Sequence, residues 1–251
     1  ALRAAEEGCR ALMISDIHAG RLEKAVATIK EKTGLQAVFS KICDVSKEDD
    51  VQALIASAEE NLDGVDVLIN NAGIALEGGA IDLSVRDFDR VLAVNLRGAF
   101  LVSKYVVEYM IEEIENREDR SRLSERPYSI INMSSLMGIQ GYPMRSAYVA
   151  SKFALIGITE TMARELGPDG VRVNALMPGA VSGANMDRIL ARRAEAEGRP
   201  AEEIERENYT DVAALKRWVA PEEVGRAALY YASDLSSAIT GDKMKVDCGR
   251  F

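Results

Sequence analysis

Short apolar runs alternate with amphipathic stretches from one end of the chain to the other. Val65 to Ile69 is an almost continuous apolar run of strand length, the pattern of a strand covered on both faces. Lys47 to Leu62 instead repeats its apolar residues at helical spacing, leaving one apolar and one charged face. The same reading gives a helix end over Ala1 to Gly8, closed by glycine, and a strand over Arg10 to Ser15. A helix over Arg21 to Lys32 and a strand over Gln36 to Ile42 come next. Beyond Ile69 it gives a long helix over Val85 to Glu115, a strand over Tyr128 to Met133 and a helix over Ala147 to Leu166. A strand over Val171 to Leu176, a helix over Pro221 to Ala232 with proline in its first turn, and a short strand over Lys243 to Val246 complete the order. This alternation predicts an α/β fold, a doubly wound, mainly parallel sheet with helices on both faces and right-handed crossovers. No internal repeat or linker interrupts it, so residues 1–251 are expected to form one domain.

Two stretches stand out from this rhythm. Glu112 to Arg126 is dense in charge and reads as a solvated helix extension. Gly183 to Arg217 is rich in Ala, Arg and Glu with helical periodicity. It follows the Pro178-Gly179 turn at the carboxyl end of a strand, where doubly wound sheets bind ligands. It is either a cover for a substrate or a peripheral helical pair.

Composition narrows the function. Hydrophobic residues make up 47% and charged residues 28%, as in ordinary globular proteins. With 31 Lys plus Arg against 40 Asp plus Glu, the net charge of −9 argues against a nucleic-acid surface and against polybasic membrane contact. No apolar run approaches the ~20 residues of a membrane span. Cys9, Cys43 and Cys248 are isolated and His18 is the only histidine, so neither a metal site nor a disulfide framework is expected. A cytoplasmic, reducing setting is the simplest one. A Ser-His-Asp nucleophilic site would have to use His18, just after a strand, which is a poor place for it.

The chemistry lies in Ser146-Ala147-Tyr148-Val149-Ala150-Ser151-Lys152 and in Ser135, thirteen residues before the tyrosine. On a helix Tyr148 and Lys152 share one face. A free tyrosine has a pKa of about 10, and a neighbouring ammonium would draw it toward neutrality. Ser135, at the end of a strand, could polarise a substrate oxygen. Together they could move a proton on and off an alcohol or ketone oxygen. A solvated helix face would carry the same Tyr-Lys pair.

Further motifs decide between the two. Asn70-Asn71-Ala72-Gly73 follows a strand, and Val94-Asn95-Leu96-Arg97-Gly98 lies within the long helix. Ile131-Asn132-Met133-Ser134-Ser135 and Val173-Asn174-Ala175-Leu176-Met177-Pro178-Gly179 each end a strand. With Tyr148 and Lys152 these make five motifs in order, and across nearly its whole length the chain resembles the short-chain dehydrogenase/reductase family. The resemblance implies a Rossmann-like fold and an NAD-dependent interconversion of a secondary alcohol and a ketone. By it, Tyr148 is the general acid/base, Ser135 orients the carbonyl oxygen, and Lys152 tunes Tyr148 and holds the nicotinamide ribose. Asn95 holds a water that extends the proton relay. Cofactor contacts fall to Asp16, Asp44, Val45, Asn71, Ala72, Gly73, Tyr148, Lys152, Pro178, Gly179 and Val181, while Asn70 ties strands together. Asp16 favours NAD by receiving ribose hydroxyls and repelling a 2′-phosphate, and no basic residue immediately follows it; as a plain turn or capping aspartate it would say nothing of the cofactor. Relatives often carry a threonine where Gly183 stands, with Ser182 beside it here. The segment from Gly183 becomes the substrate cover. Leu136 to Arg145, with Gln140, Tyr142 and Met144, shapes a pocket for a small alcohol or carbonyl substrate that these residues do not specify. A homotetramer follows from relatives that pair their long helices and final strands; Ala154, Gly157 and Ala163 suit close packing, between copies or within one.

Relatives open with a strand and a glycine-rich phosphate-binding turn, which the resemblance would put before Ala1, over about 20–25 residues. A break one strand wide, about 9–10 Å, is then expected between Arg10–Ser15 and Val65–Ile69. The alternative function, suggested only by that turn, is a non-catalytic nucleotide-binding or scaffolding member of the fold.

Overall fold

The computed structural model describes residues 1–115 and 128–250. Most of the Glu112 to Arg126 stretch, residues 116–126, lies outside them.

The elements follow the alternation. Helix α1 (Leu2–Glu6) leads into β1 (Leu12–Asp16), α2 (Ala19–Thr33) and β2 (Val38–Ile42). Helix α2 ends where Gly34 adopts a left-handed conformation, the signal glycine provides at a helix end. Helix α3 (Glu48–Asn61) opens on Glu48, Asp49 and Asp50, carboxylates that favour a helix start, and buries Val51, Leu54, Ile55 and Ala58 along one stripe. Strand β3 (Val67–Asn70) is followed by α4 (Val85–Leu92), whose N-cap Ser84 accepts from the Asp87 N–H.

The long helix expected over Val85 to Glu115 is interrupted: a π turn over Ala93–Gly98 separates α4 from α5 (Ala99–Glu115). Next come β4 (Tyr128–Met133), α6 (Ser146–Leu166) and β5 (Val171–Pro178). Helices α7 (Ala184–Glu197) and α8 (Ala201–Glu205) occupy the segment after Gly183, and α9 (Pro221–Ala232) and β6 (Lys243–Val246) close the order.

Strands β3, β4, β5 and β6 form one parallel sheet in sequence order, and β1 and β2 a second parallel pair. β1 pairs with β2 and β3 with β4, and no ladder joins β1 to β3 among the described residues. Strands β4 and β5 are buried on both faces, and the polar residues they carry there are hydrogen-bonded: Ser129 to the Tyr231 carbonyl, Asn132 to Thr159, Arg172 to Ser236 and Asn174 to the Ile239 carbonyl. On one face of the larger sheet, α3, α5 and α6 contribute Val51, Val106, Met110 and Met162 to a core with Ile130 and Val173. On the other, Ala228 and Tyr231 of α9 meet Ile131 and Leu176. A third cluster joins α1, α2, β1 and β2 through Ala5, Ile29 and Val38. The result is the expected α/β arrangement with helices on both faces. No helix among the described residues is long and apolar enough to cross a membrane.

The segment after Gly183 is an excursion with a closed stem. Ser182 N–H donates to the Val219 carbonyl at 2.9 Å, and Val219 N–H to the Ala180 carbonyl at 3.0 Å. Leu190 and Ile204 are buried, and Tyr209 stacks on Trp218 with ring centroids 5.0 Å apart.

Candidate active site

In a parallel sheet all the carboxyl ends of the strands face one way; Asp16, Asp44, Asn71, Ser135 and Pro178 lie at or just after such ends, while Asn95, Tyr148 and Lys152 lie on helical elements. Ser135 follows β4 and caps a short 3-10 turn over Leu136–Gly138, where its Oγ accepts the Met137 N–H at 3.1 Å. That leaves its own hydroxyl hydrogen for the Tyr148 phenol, whose phenolate form Ser135 favours. The turn is tight because residue 138 is glycine: a Cβ there would stand 2.5 Å from Ser134 Oγ and 2.9 Å from the Lys152 carbonyl. Ser134 points the other way, donating to that carbonyl at 2.9 Å, so of the two serines only Ser135 faces the phenol.

Tyr148 and Lys152 share a face of α6, with the ammonium 5.5 Å from the phenol ring centroid. Lys152 is only 4% exposed and Nζ donates to the Met133 carbonyl at 2.7 Å. Burial without a carboxylate partner lowers its pKa to about 8. Burial raises the phenol above the ordinary tyrosine value, and the Ser135 hydrogen bond and the Arg145 guanidinium draw it back. The Lys152 ammonium lies beside the ring and donates to a carbonyl, and Arg145 was not among the residues singled out from the sequence.

Asn95 sits in the π turn and is 1% exposed. Its Oδ1 accepts the Ile74 N–H at 2.8 Å, and Nδ2 donates to the Ile74 carbonyl and to Ser151 Oγ. Its side chain thus braces the loop after β3 against α6, while Oδ1 keeps a second acceptor site. A Cβ on Gly73 would be 3.4 Å from Asn95 Oδ1 and 3.7 Å from Lys152 Nζ, so this loop borders the catalytic group directly. Asn71, Ala72 and Gly73 are exposed. Asn70 does tie elements together, donating to Asn132 Oδ1 and Ser103 Oγ.

At the end of β1, Asp16 accepts the His18 N–H at 2.9 Å, and Arg21 in the first turn of α2 lies 3.7 Å from its other oxygen. A basic residue is thus beside Asp16 in space, though not immediately after it in sequence. Asp44 accepts from both the Ser46 N–H and hydroxyl, which holds its carboxyl below the usual range. Val45 turns its side chain against Gly98. Pro178 ends β5, Gly179 N–H donates to the Val246 carbonyl at 2.9 Å, and Val181 pairs with Val219 at the stem of the excursion. Gly183 has φ +136, a backbone a threonine would rarely adopt.

Several features suit a nicotinamide dinucleotide. Among the described residues Met133 O is the one hydrogen-bond partner of the Lys152 ammonium, which leaves two protons for ligand hydroxyls. The Asn71–Gly73 backbone is open, and Asp16 offers a carboxylate at the end of β1.

A parallel α/β sheet bearing a serine-bound tyrosine and a buried lysine at its carboxyl edge has the make-up of a site for proton transfer at an alcohol or carbonyl oxygen. The chain belongs to the short-chain dehydrogenase/reductase family of oxidoreductases: the family model described as Enoyl-(Acyl carrier protein) reductase matches residues 1–250. It is 33% identical over 246 residues to a 3-oxoacyl-[acyl-carrier-protein] reductase of Thermotoga maritima, covering 98% of this chain and 89% of the relative. It is 35% identical over 229 residues to an L-2,3-butanediol dehydrogenase of Corynebacterium glutamicum, covering 90% of this chain and 84% of that one. Among solved structures, NAD+-bound xylitol dehydrogenase matches with a TM-score of 0.86 and 31% identity, over 99% of this chain and 92% of its own. The family uses nicotinamide cofactors.

Proposed function

We propose that this protein interconverts a secondary alcohol and a ketone with NAD as its cofactor. The observation that carries the reading is Tyr148 and the buried Lys152 on one face of α6, with the ammonium 5.5 Å from the ring centroid and Ser135 favouring the phenolate. When bound, the nicotinamide supplies the hydride in reduction and takes it in oxidation. In reduction the Tyr148 hydroxyl gives its proton to the carbonyl oxygen; in oxidation the phenolate takes the alcohol proton. Ser135 donates to the same substrate oxygen and orients it. Lys152 holds the ribose hydroxyls with the protons it does not spend on Met133, and Asn95 braces the loop that carries Gly73 against α6. Asp16, Asp44, Val45, Asn71, Ala72, Gly73, Pro178, Gly179 and Val181 line the cofactor. The segment from Gly183 covers a small alcohol or carbonyl substrate. The protein works as a homotetramer in the cytoplasm, and residues 1–251 act as one domain.

The preference for NAD rests on the Asp16 carboxylate, and Arg21 is the residue through which NADP would gain. Support for NAD also comes from the xylitol dehydrogenase relative, whose structure is of its NAD+-bound form.

Screening secondary alcohols, sugars and steroids for NADH formation, and acyl thioesters for NADH consumption, tests the reading. We expect turnover with NAD above that with NADP. Tyr148→Phe should lower it by about 10²–10⁴-fold without unfolding the protein, because only the proton-transfer hydroxyl is lost. Ser135→Ala should fall nearly as far, whereas Ser134→Ala removes only a bond to the Lys152 carbonyl. Wild-type rates in Tyr148→Phe would sink the assignment.

A further inference from the structure

Three elements around the site meet at one carboxylate. Arg145 is the N-cap of α6, the helix that carries Tyr148 in its first turn. Glu77 lies in the loop after β3, a few residues beyond Gly73, which borders Lys152. Arg192 lies on α7, in the segment that follows Gly183. The Arg145 guanidinium donates to one oxygen of Glu77, and Arg192 donates to the other at 2.8 Å. Backbone contacts fix the inner pair. The Gly78 N–H donates to the Met144 carbonyl at 3.1 Å, and Gly78 forms a parallel bridge with Arg145. Met144 itself has φ +63, a left-handed conformation rare for a residue with a side chain.

The charges at this junction do not balance. Tying the loop to a helix needs one arginine; a second brings like charges together around a single anion and leaves an excess of positive charge, in a chain whose net charge is −9. Arg188, one turn before Arg192 on the same row of α7, adds a further cation. It donates to the Ala184 carbonyl and to Asn185 Oδ1, neither of them charged. Of the nearby acids, Asp82 lies beside Gly79 and Met144, and Asp187 is about 140° around α7 from Arg192. Neither is ion-paired to Arg145 or Arg192 among the described residues. A guanidinium has five N–H donors, and each of these two uses one on Glu77. No free nitrogen of either is sealed from open space. The Arg145 side chain is only 18% exposed, so an anion reaching it meets a partly desolvated cation, where charge-assisted hydrogen bonds are strong.

We propose that Arg145 and Arg192 form a subsite for an oxyanion group carried by the substrate, a carboxylate, sulfonate or phosphate close to its secondary alcohol or ketone. Glu77 spaces the two guanidiniums, and the oxyanion takes their remaining N–H groups and supplies the negative charge that the trio lacks. The planar forks suit it, because paired N–H donors match two oxygens of such a group. A neutral polyol fits less well. Its hydroxyls both donate and accept, whereas a guanidinium only donates, and the excess charge would stay unbalanced. Anchored at the start of α6, the anion sets how the reacting carbon lies against Tyr148. This rests on the site being that of a secondary-alcohol oxidoreductase, and it narrows the substrate to acids.

Matched pairs of substrates test it: short secondary alcohols ending in a carboxylate, sulfonate or phosphate, each against a neutral ester or amide of the same length. We expect kcat/KM for oxidation with NAD to favour the charged member by about 10- to 100-fold, the size of one or two charge-assisted hydrogen bonds. Arg145→Gln and Arg192→Gln should each lower that ratio, by roughly tenfold for the better buried Arg145 and less for Arg192. Arg145→Lys should keep part of the preference. Both members of a pair meet the same enzyme, so the ratio cancels any effect of a substitution on folding or on the acid/base group. Glu77→Gln keeps an acceptor for both arginines and removes the competing charge, so the ratio should rise. A purely structural cluster predicts equal losses for both members and a flat ratio. Calorimetric binding of the matched ketones to NADH-bound Tyr148→Phe protein reads the same preference without turnover. A panel in which no charged member is favoured, or a preference that survives both Arg145→Gln and Arg192→Gln, overturns the proposal. The oxidoreductase reading fails separately, through charged ketones that bind while no alcohol is oxidised, or through a Tyr148→Phe enzyme that keeps its rate.

Discussion

Single residues at this site are held against their own stability. Lys152 is buried with a carbonyl for its partner, and its pKa falls from the ordinary 10.5 to about 8. Between those values the unfolded chain still holds the proton and the folded protein has released it, so stability rises with pH across that window. At ~1.4 kcal/mol per tenfold, the difference amounts to roughly 3 kcal/mol. Lys152→Met carries no such proton. Wild-type stability measured by urea unfolding without cofactor should therefore gain on the variant by about that amount from neutrality to about pH 10.5. A difference that stays flat would show that the ammonium is not strained by burial. Ser135, Tyr148 and Lys152 were legible in the sequence because helical spacing and a strand end bring them together locally. Arg145 and Glu77 were not, because their pairing spans 68 residues and depends on how the loop after β3 meets the start of α6. Arg21 was hidden differently: five residues from Asp16 looks distant along the chain, but the first turn of α2 folds it back.

At the scale of elements, the π turn is where the end of β2 meets the helix that carries Asn95. A Cβ on Gly98 would stand 2.7 Å from Val45 Cγ2 and 3.1 Å from the Val45 carbonyl, so glycine is required for the approach. Arg97 reinforces it by donating to the Ser46 carbonyl at 2.9 Å. Gly98→Ala should cost about 1–3 kcal/mol through overpacking. Shortening the opposing side chain with Val45→Ala should recover part of that loss, giving a coupling of about 0.5–3 kcal/mol in a double-mutant cycle by denaturant unfolding. Strict additivity would mean that Gly98 answers to something other than Val45. The helix period across Val85 to Glu115 was plain in the sequence, but the extra residue of a π turn leaves almost no mark on a hydrophobic pattern. Strands β4 and β5 read well because their length and apolar majority survive the buried Ser129, Asn132, Arg172 and Asn174 among them.

For the whole molecule, the face formed by α5 and α6 has features that one copy leaves unused. Phe100 and Phe153 are each 45% exposed, and a Cβ built on Gly157 would meet no atom within 4 Å. Leu92, Leu96 and Ile158 line an open groove beside Phe100. Ala163, by contrast, is 5% exposed and serves the core of its own subunit, so only part of the small-residue pattern on α6 faces outward. A self-complementary helical face suits a two-fold interface, and a stable one buries about 800 Å² per partner. Among the described residues strand β6 pairs with β5 alone and gives a second surface, though Lys243 and Lys245 make it a less adhesive edge. Two such surfaces on each copy would close a tetramer. A net charge of −9 per copy opposes assembly, so association should strengthen from low salt to about 0.15 M, where the screening length is ~8 Å. Light scattering at micromolar concentration is expected to report a tetramer. Phe153→Glu, which sets like charges against each other across the helical face, should reduce it to dimers held through β6 without unfolding the subunit. A wild-type monomer under these conditions would refute the assembly. A tetramer untouched by Phe153→Glu would move the interface away from α5 and α6.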